Sequence, residues 1–285
     1  MSDKNSGSPP ATKEYSDGKM LPELVDLVKR YSPSLLWMDG DWEQHSDYWG
    51  SAKFLSWLYN ESPVKDEVIT NDRWVNVYLI VLILKGNECR GRNGGYWTPS
   101  DGYNPGRIIE HKWENCETIS TSWGHNRREH LEQYKSAVHL LQTLFNVVSY
   151  GGNLLLNVSP TKDGLIPIIQ EERLKEIGFF LEANGEAIYG TRPWKVQQRE
   201  GNVWFTCKGD DVYVITTQWP DSGRITLSSV NSSHQKGQLT ATLLATRQDV
   251  STQISQESLS IDPPPLTQGL GKHNAWAFKI LGLVV

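Results

Sequence analysis

Cysteine is scarce: three residues in 285, Cys89, Cys116 and Cys207. Their wide spacing fits no metal-ligand motif, and it allows either one disulfide beside a third thiol or three thiols. Blocks of like charge are also lacking. The 28 Lys and Arg and 33 Asp and Glu, net −5, are dispersed, which argues against a nucleic-acid-binding face or a polybasic membrane surface. No glycine-rich loop precedes a helix in the manner that cradles phosphate, and no ligand set clusters, so neither a metal nor an organic cofactor is expected. No apolar run reaches the roughly twenty residues of a membrane span. No repeat of solenoid period occurs. Residues 1–12 are rich in Ser, Pro, Gly and Lys and hold no apolar signal-peptide core, so the chain as written is expected to stay in the cytosol. The expected partners therefore include neither nucleic acid nor membrane; a homo-oligomer is compatible with the sequence.

What the chain does contain is aromatic. Twelve Trp and eleven Tyr are many for this length, and flat faces with polar edges suit sugar rings as well as they suit a core. Three glycosylation sequons begin at Asn60, Asn157 and Asn231 and carry meaning only in the secretory pathway.

One stretch stands out: Leu35-Leu36-Trp37-Met38-Asp39-Gly40-Asp41-Trp42. An apolar run of buried-strand type ends in a carboxylate, a glycine and a second carboxylate between tryptophans. A strand of an α/β sheet delivers a side chain to a site in this way. Before it, Leu21, Leu24, Val25, Leu27 and Val28 recur at helical spacing, with Pro22 tolerated in the first turn, predicting a helix over 21–31. Further readings follow in chain order: a helix over 51–59, a strand over 68–70 ending in Asn71, Asp72 and Arg73, and a long Gly/Asn/Pro-rich loop over 86–109. A strand over 118–123, a helix over 129–150 capped by Gly151 and Gly152, a strand over 153–157 and a helix over 171–184 with Gly185 at its cap complete this part.

Beyond Pro193 the texture changes to alternating segments at 203–207, 212–216, 225–227, 239–244 and 275–280, as in an all-β sandwich. The expected division is a disordered segment over 1–18, an α/β domain over 19–190 and a β domain over 191–285. About four strand–helix units make either a small open α/β sheet or half of a closed eight-stranded barrel.

Several segments carry a resemblance in order: residues 35–42, Phe54-Leu55-Ser56-Trp57-Leu58-Tyr59-Asn60, Asn71-Asp72-Arg73-Trp74, His111-Lys112-Trp113-Glu114-Asn115-Cys116, Ser122-Trp123-Gly124 and the run from Gly151 to Gly164. Together they resemble the C-terminal portion of the retaining α-L-fucosidases. The resemblance implies a (β/α) TIM-like barrel, here partial, followed by an antiparallel β-sandwich. It further implies release of terminal α-L-fucose from glycans or glycoproteins, and a lysosomal or secreted address. It makes Asp39 the nucleophile. Its partner, a carboxyl about 5–5.5 Å away that acts first as acid and then as base, is Asp101 in the long loop, with Glu114 as the alternative. Trp42, Trp97 and Trp123, and more weakly Asp41, are implied as pocket walls. His125, His130 and His139 are read as surface or core residues.

Two departures shape the expectation. The β/α units that precede the nucleophile strand in such enzymes, with their His-His-Asp-Gly type segment, are not found here, so weak or no turnover is expected. The alternatives are a non-catalytic fucose- or glycan-binding protein and a non-functional fragment. The second departure is the apolar stretch over 75–85. Its removal would join Trp74 to Gly86 and restore the pattern, as a short intron read through in frame would; otherwise it is a buried strand or helix.

Overall fold

The computed structural model describes residues 12–40, 44, 46–74 and 95–285. The stretch 75–85, Asp41, Trp42 and Cys89 lie outside the described residues. Contacts divide the chain into two compact units, Met1–Pro99 and Ser100–Val285.

In the first unit a helical turn over Ser16–Met20 leads into α1 (Leu21–Tyr31), as the spacing predicts, with Pro22 in its first turn. Val28 is fully buried, and Leu21, Leu24 and Val25 pack beside it, while Leu27 stays exposed. Ser32 ends the helix in a left-handed conformation. Then follow β1 (Leu35–Leu36), α2 (Ser46–Trp49), α3 (Ser51–Asn60) and β2 (Ile69–Thr70). β1 and β2 pair in parallel, Leu35 opposite Ile69 and Leu36 opposite Thr70. A third segment continues the layer, because Asn71 bridges Tyr96 in parallel and the Tyr96 N–H donates to the Thr70 carbonyl. α3 covers this layer with Phe54, Leu55 and Leu58, and Phe54 stacks on Trp74 at 5.5 Å.

The described part of the long loop, 95–109, forms no helix or strand beyond single bridges, and the second unit begins within it at Ser100. The next strand differs from the one expected over 118–123: β3 is Glu114–Thr118. The Ser/Thr-rich stretch after it is drawn into local bonds instead, with the Ser120 hydroxyl donating to the Ser122 carbonyl and the Ser122 N–H to Glu129. The helix expected over 129–150 starts late for a related reason. Ser136 caps α4 (Ala137–Ser149) by accepting from the His139 N–H, and Leu131 lies outside it, exposed, in a 3₁₀ turn. β4 (Asn153–Asn157) pairs in parallel with β3 along its whole length. α5 (Ile168–Asn184) follows, and Gly185 stands at its cap in a right-handed, not a left-handed, conformation. A Cβ at that position would stand 2.8 Å from the ring of exposed Tyr189, which would have to swing aside.

From Arg192 on the chain is all β. The strands are β5 (Arg192–Pro193), β6 (Arg199–Glu200), β7 (Val203–Lys208), β8 (Asp211–Thr216), β9 (Ile225–Leu227), β10 (Gln235–Leu243), β11 (Gln248–Ile254), β12 (Leu259–Asp262) and β13 (Trp276–Leu283). They form one antiparallel sheet in the order β5-β7-β8-β13-β10-β11-β12-β9, with β6 beside β7. The expected sandwich is thus a single curled sheet. Ile225 and Leu227 of β9 share a core with Phe205 of β7 and Val214 of β8, from the other end of the strand order. Alternation then places Trp204, Tyr213, Ile215 and Ala277 on the opposite face, against Leu141 and Phe145 of α4 and Phe180 of α5. Ala277 of β13 and Ala275 just before it keep this face shallow where the helices pack.

Glu186, just past α5, ties helix and sheet together. Its carboxylate accepts from Lys279 Nζ at 2.9 Å, Arg247 Nη1 at 2.9 Å and the Tyr213 hydroxyl at 3.0 Å. The Lys279 bond, with help from the other two and against partial burial, pulls the carboxyl down to about 2. A depressed folded value stabilises at all pH above the ordinary carboxyl range near 4.5 and is lost as pH falls from there toward 2. At about 1.4 kcal/mol per unit, reduced for partial exposure, the contribution is on the order of 2–3 kcal/mol. Urea unfolding at pH 6 and at pH 3 is expected to show a large loss for the wild type and a smaller one for Glu186→Gln, which begins lower. Equal losses would remove Glu186 as the source.

Gly152 offers a packing test. A Cβ there would lie 2.6 Å from the fully buried Trp113 ring, so Gly152→Ala is expected to cost about 2 kcal/mol or more. The exposed Gly178 of α5 has nothing within 4 Å, so Gly178→Ala should gain about 0.5–1 kcal/mol. Denaturant midpoints moving in opposite directions would confirm both.

Candidate active site

β1 is only two residues long, yet the backbone beyond it is held up to the carboxylate. The Asn71 side chain takes the place of a neighbouring strand: its Nδ2 donates to the Met38 carbonyl at 2.7 Å and its Oδ1 accepts from the Met38 N–H at 3.1 Å. Asn71 is fully buried. Asp39 comes next, and Gly40, at φ +90°, turns the chain away at once.

Arg73 sits at the corresponding end of β2. Its Nη1 donates to Asp39 Oδ1 at 2.8 Å, with the Arg73 side chain 11% exposed and that of Asp39 45% exposed. Three further contacts fix the guanidinium. Its Nε donates to the Thr98 carbonyl and hydroxyl at 3.1 and 3.2 Å, and its plane lies 4.8 Å over the Trp37 ring. Thr98 is aimed in turn by Asp72, whose Oδ1 accepts from the Thr98 N–H at 2.7 Å. Asp39, Asp72, Arg73 and Thr98 therefore gather past the C-terminal ends of three adjacent parallel segments, where α/β sheets carry their sites. A cleft lined by Met38, Asp39, Gly40, Trp49, Arg73 and Trp74 opens beside them. Asp39 is thus braced on one oxygen and open on nearly half its side-chain surface.

Of the other expected residues, Trp97 is half-buried next to Thr98 in the same unit. Asp41 and Trp42 fall outside the described residues. The second unit holds the remainder. Asp101 is exposed in a turn that runs alongside β3, bridging Cys116 in parallel, with Gly102 at φ +68° donating its N–H to the Cys116 carbonyl. Glu114 is buried as the first residue of β3, opposite Asn153 and between buried Trp113 and Asn115. Trp123 is 41% exposed and accepts at its carbonyl from Asn157 Nδ2. His125, His130 and His139 are all exposed.

The polar residues at the end of β2 were visible in sequence; their division of labour was not. Thr98 left no sequence signal, because only its place in the third parallel segment gives it a role. Among the described residues no group of three His, Cys, Asp or Glu could hold a metal ion, and no helix is long and apolar enough to cross a membrane.

Comparison with known proteins bears on this arrangement. The family model for alpha-L-fucosidase matches residues 1–186, and that for the alpha-L-fucosidase C-terminal domain matches 197–281. The alpha-L-fucosidase of Branchiostoma floridae is 48% identical over 225 residues, covering 78% of this chain and 48% of that protein. Tissue alpha-L-fucosidase of Bos taurus is 41% identical over 288 residues, covering 99% of this chain and 58% of that protein. The crystal structure of Thermotoga maritima alpha-fucosidase in complex with a mechanism-based inhibitor superposes with a TM-score of 0.74 at 29% identity, covering 95% of this chain and 58% of that one. The chain thus spans about half the length of the curated relatives it matches. On the strength of the two family models and of relatives aligned over nearly its whole length, the chain belongs to the alpha-L-fucosidase family.

Proposed function

We propose that the chain carries the nucleophile half of a retaining α-L-fucosidase site and acts on terminal α-L-fucose of glycoconjugates. The observation that carries the reading is Asp39, presented past a parallel strand end and paired with Arg73. In this mechanism Asp39 attacks the anomeric carbon as the leaving group departs, forming a fucosyl–enzyme ester that water then hydrolyses. Arg73 holds the carboxylate oxygen in one orientation, and Trp97, half-buried beside Thr98, offers an apolar wall suited to a deoxy sugar's methyl group.

The proton for the leaving group comes from a second carboxyl. A group that must keep its proton near working pH is served by a water-poor surrounding. That keeps the buried Glu114 as the alternative, but Glu114 opens β3 rather than ending it, so Asp101 in the loop remains the first candidate. A pair of parallel strands in each unit, with α1 before, α3 and α4 between and α5 after the paired strands, supports a partial (β/α) TIM-like barrel. The ends of the two family matches at 186 and 197 support a boundary between that part and the β domain near residue 190. The tissue and plasma names of several relatives support a lysosomal or secreted address.

A 2-deoxy-2-fluoro-fucosyl fluoride should label the wild-type chain by one fucosyl mass, mapped to Asp39 by peptide mass spectrometry, and should leave Asp39→Asn unlabelled. Turnover of an aryl fucoside should fall by at least about 10³-fold in that variant. Fucose binding with neither label nor turnover would favour a binding protein instead.

For the proton donor, Asp101→Asn should slow fucosides with poor leaving groups by about 10²–10⁴-fold and have little effect on those with highly acidic ones. It should also flatten the basic limb of the pH–rate profile. Glu114→Gln showing that pattern, with Asp101→Asn normal, would reverse the assignment.

A further inference from the structure

The three sequons share one chemical motif and differ completely in what the fold does with the asparagine amide. Asn157 ends β4 and uses its Nδ2 inward, donating to Thr118 Oγ1 at 3.0 Å and to the Trp123 carbonyl at 2.9 Å. Its sequon serine, Ser159, is buried, with its hydroxyl accepting from Gln170 Nε2. A substituent on that nitrogen would take the hydrogen of one of these bonds and would have to fit into the space they close. Asn60 is exposed at the end of α3, but one Nδ2 hydrogen goes to the Ser56 carbonyl at 2.7 Å, and its sequon serine, Ser62, is buried and donates to the Leu58 carbonyl.

Asn231 is the opposite case. It opens the short 3₁₀ turn Ser232–His234, and the fold holds its backbone firmly: its N–H donates to His234 Nδ1, and the Ser232 N–H donates to the Ser255 carbonyl. The side-chain carbonyl is fixed as well, accepting from the Ser233 N–H at 3.1 Å and from the Ser233 hydroxyl at 2.6 Å. Ser233 is the sequon's own hydroxyl residue, and it lies exposed beside exposed Ser232. With Oδ1 taken by the two Ser233 bonds, Nδ2 is the part of this amide that faces solvent. A hydroxyl donating to the amide oxygen also draws charge from the nitrogen and loosens its protons. Neighbouring Val230 is fully buried, so the turn is anchored while its amide projects.

We propose that Asn231 is an N-linked glycosylation site. The reading rests on the chain passing through the secretory pathway, and not on its acting on fucose. The bond formed joins Asn231 Nδ2 to the anomeric carbon of an oligosaccharide carried on a lipid pyrophosphate. The anomeric C–O bond to that pyrophosphate breaks, the lipid pyrophosphate leaves with the electron pair, and Nδ2 gives up one proton. The acceptor contributes position and the donor brings the activated sugar, so no oxidant or reductant takes part.

The test is to express the full chain behind a heterologous secretion leader in a eukaryotic cell and to release N-glycans enzymatically in heavy-oxygen water. That treatment turns a glycosylated asparagine into a labelled aspartate. Label at Asn231 is expected, retained in Ser232→Ala and lost in Ser233→Ala. Because the leader imposes entry, an unlabelled Asn231 overturns the site itself and leaves the native cellular address untouched. Thermal unfolding of bacterial, sugar-free protein supplies the second readout. Asn231→Gln should lose only the small stability of an exposed turn cap, whereas Asn157→Gln should unfold distinctly earlier through its lost inward bonds. A large loss for Asn231→Gln would make that residue structural and overturn the proposal.

Discussion

The first unit's chemistry hangs on one buried amide. Asn71 exchanges two hydrogen bonds with the backbone of Met38 and so extends the pairing of β1 with β2 beyond the residues that are formally strand. An amide side chain offers the same donor and acceptor as a peptide group, which is why it can stand in for a strand here. Because Asn71 is fully buried, these bonds have no water to compete with them. Asp39 follows Met38 directly, and Arg73 lies two residues after Asn71, so one residue sets the distance between carboxylate and guanidinium. Without it the chain after Leu36 would be a loop, and the ion pair an exposed one of little value.

Around that anchor the bonds form a short relay. Asp72 fixes Thr98, Thr98 fixes the guanidinium of Arg73, and the guanidinium holds one oxygen of Asp39. Each group lies past the end of a parallel segment, where the backbone is free to turn and the side chains converge. A comparable knot in the second unit serves stability instead. Glu186 collects three donors from the sheet, and the nearby Asn184 Oδ1 accepts from the Ala277 N–H. These contacts bolt the end of α5 to the curled sheet. The weakly acidic range lies above the window in which Glu186 takes up its proton, so the tie is intact there.

Strong local patterns predicted well. The helix over 21–31 follows from apolar spacing and Pro22, and the strand over 153–157 from an unbroken apolar run between Gly152 and Asn157. Segments dense in β-branched and aromatic residues, such as 203–207 and 212–216, became β7 and β8. Local chemistry misled where polar side chains compete for the backbone: Ser120, Ser122 and Ser136 moved the start of α4 and ended β3 early. β11 went unseen because its half-exposed residues, Gln248 to Ile254, carry little apolar signal and owe their strand state to β10 and β12.

By itself the sequence determined the family and singled out Asp39, because an apolar strand running into an acid and a glycine is a local pattern that survives without knowledge of neighbours. It also marked Asn71, Asp72 and Arg73 as polar residues at a strand end. Only tertiary structure decided which of them is scaffold and which faces the carboxylate. Thr98 and Glu186 acquire their roles from partners that are remote in sequence or from elements that sequence placed elsewhere. The three sequons make the same point. Their motif is identical, but whether the amide faces inward, as at Asn157, or outward, as at Asn231, depends on hydrogen bonds that exist only once the chain has folded.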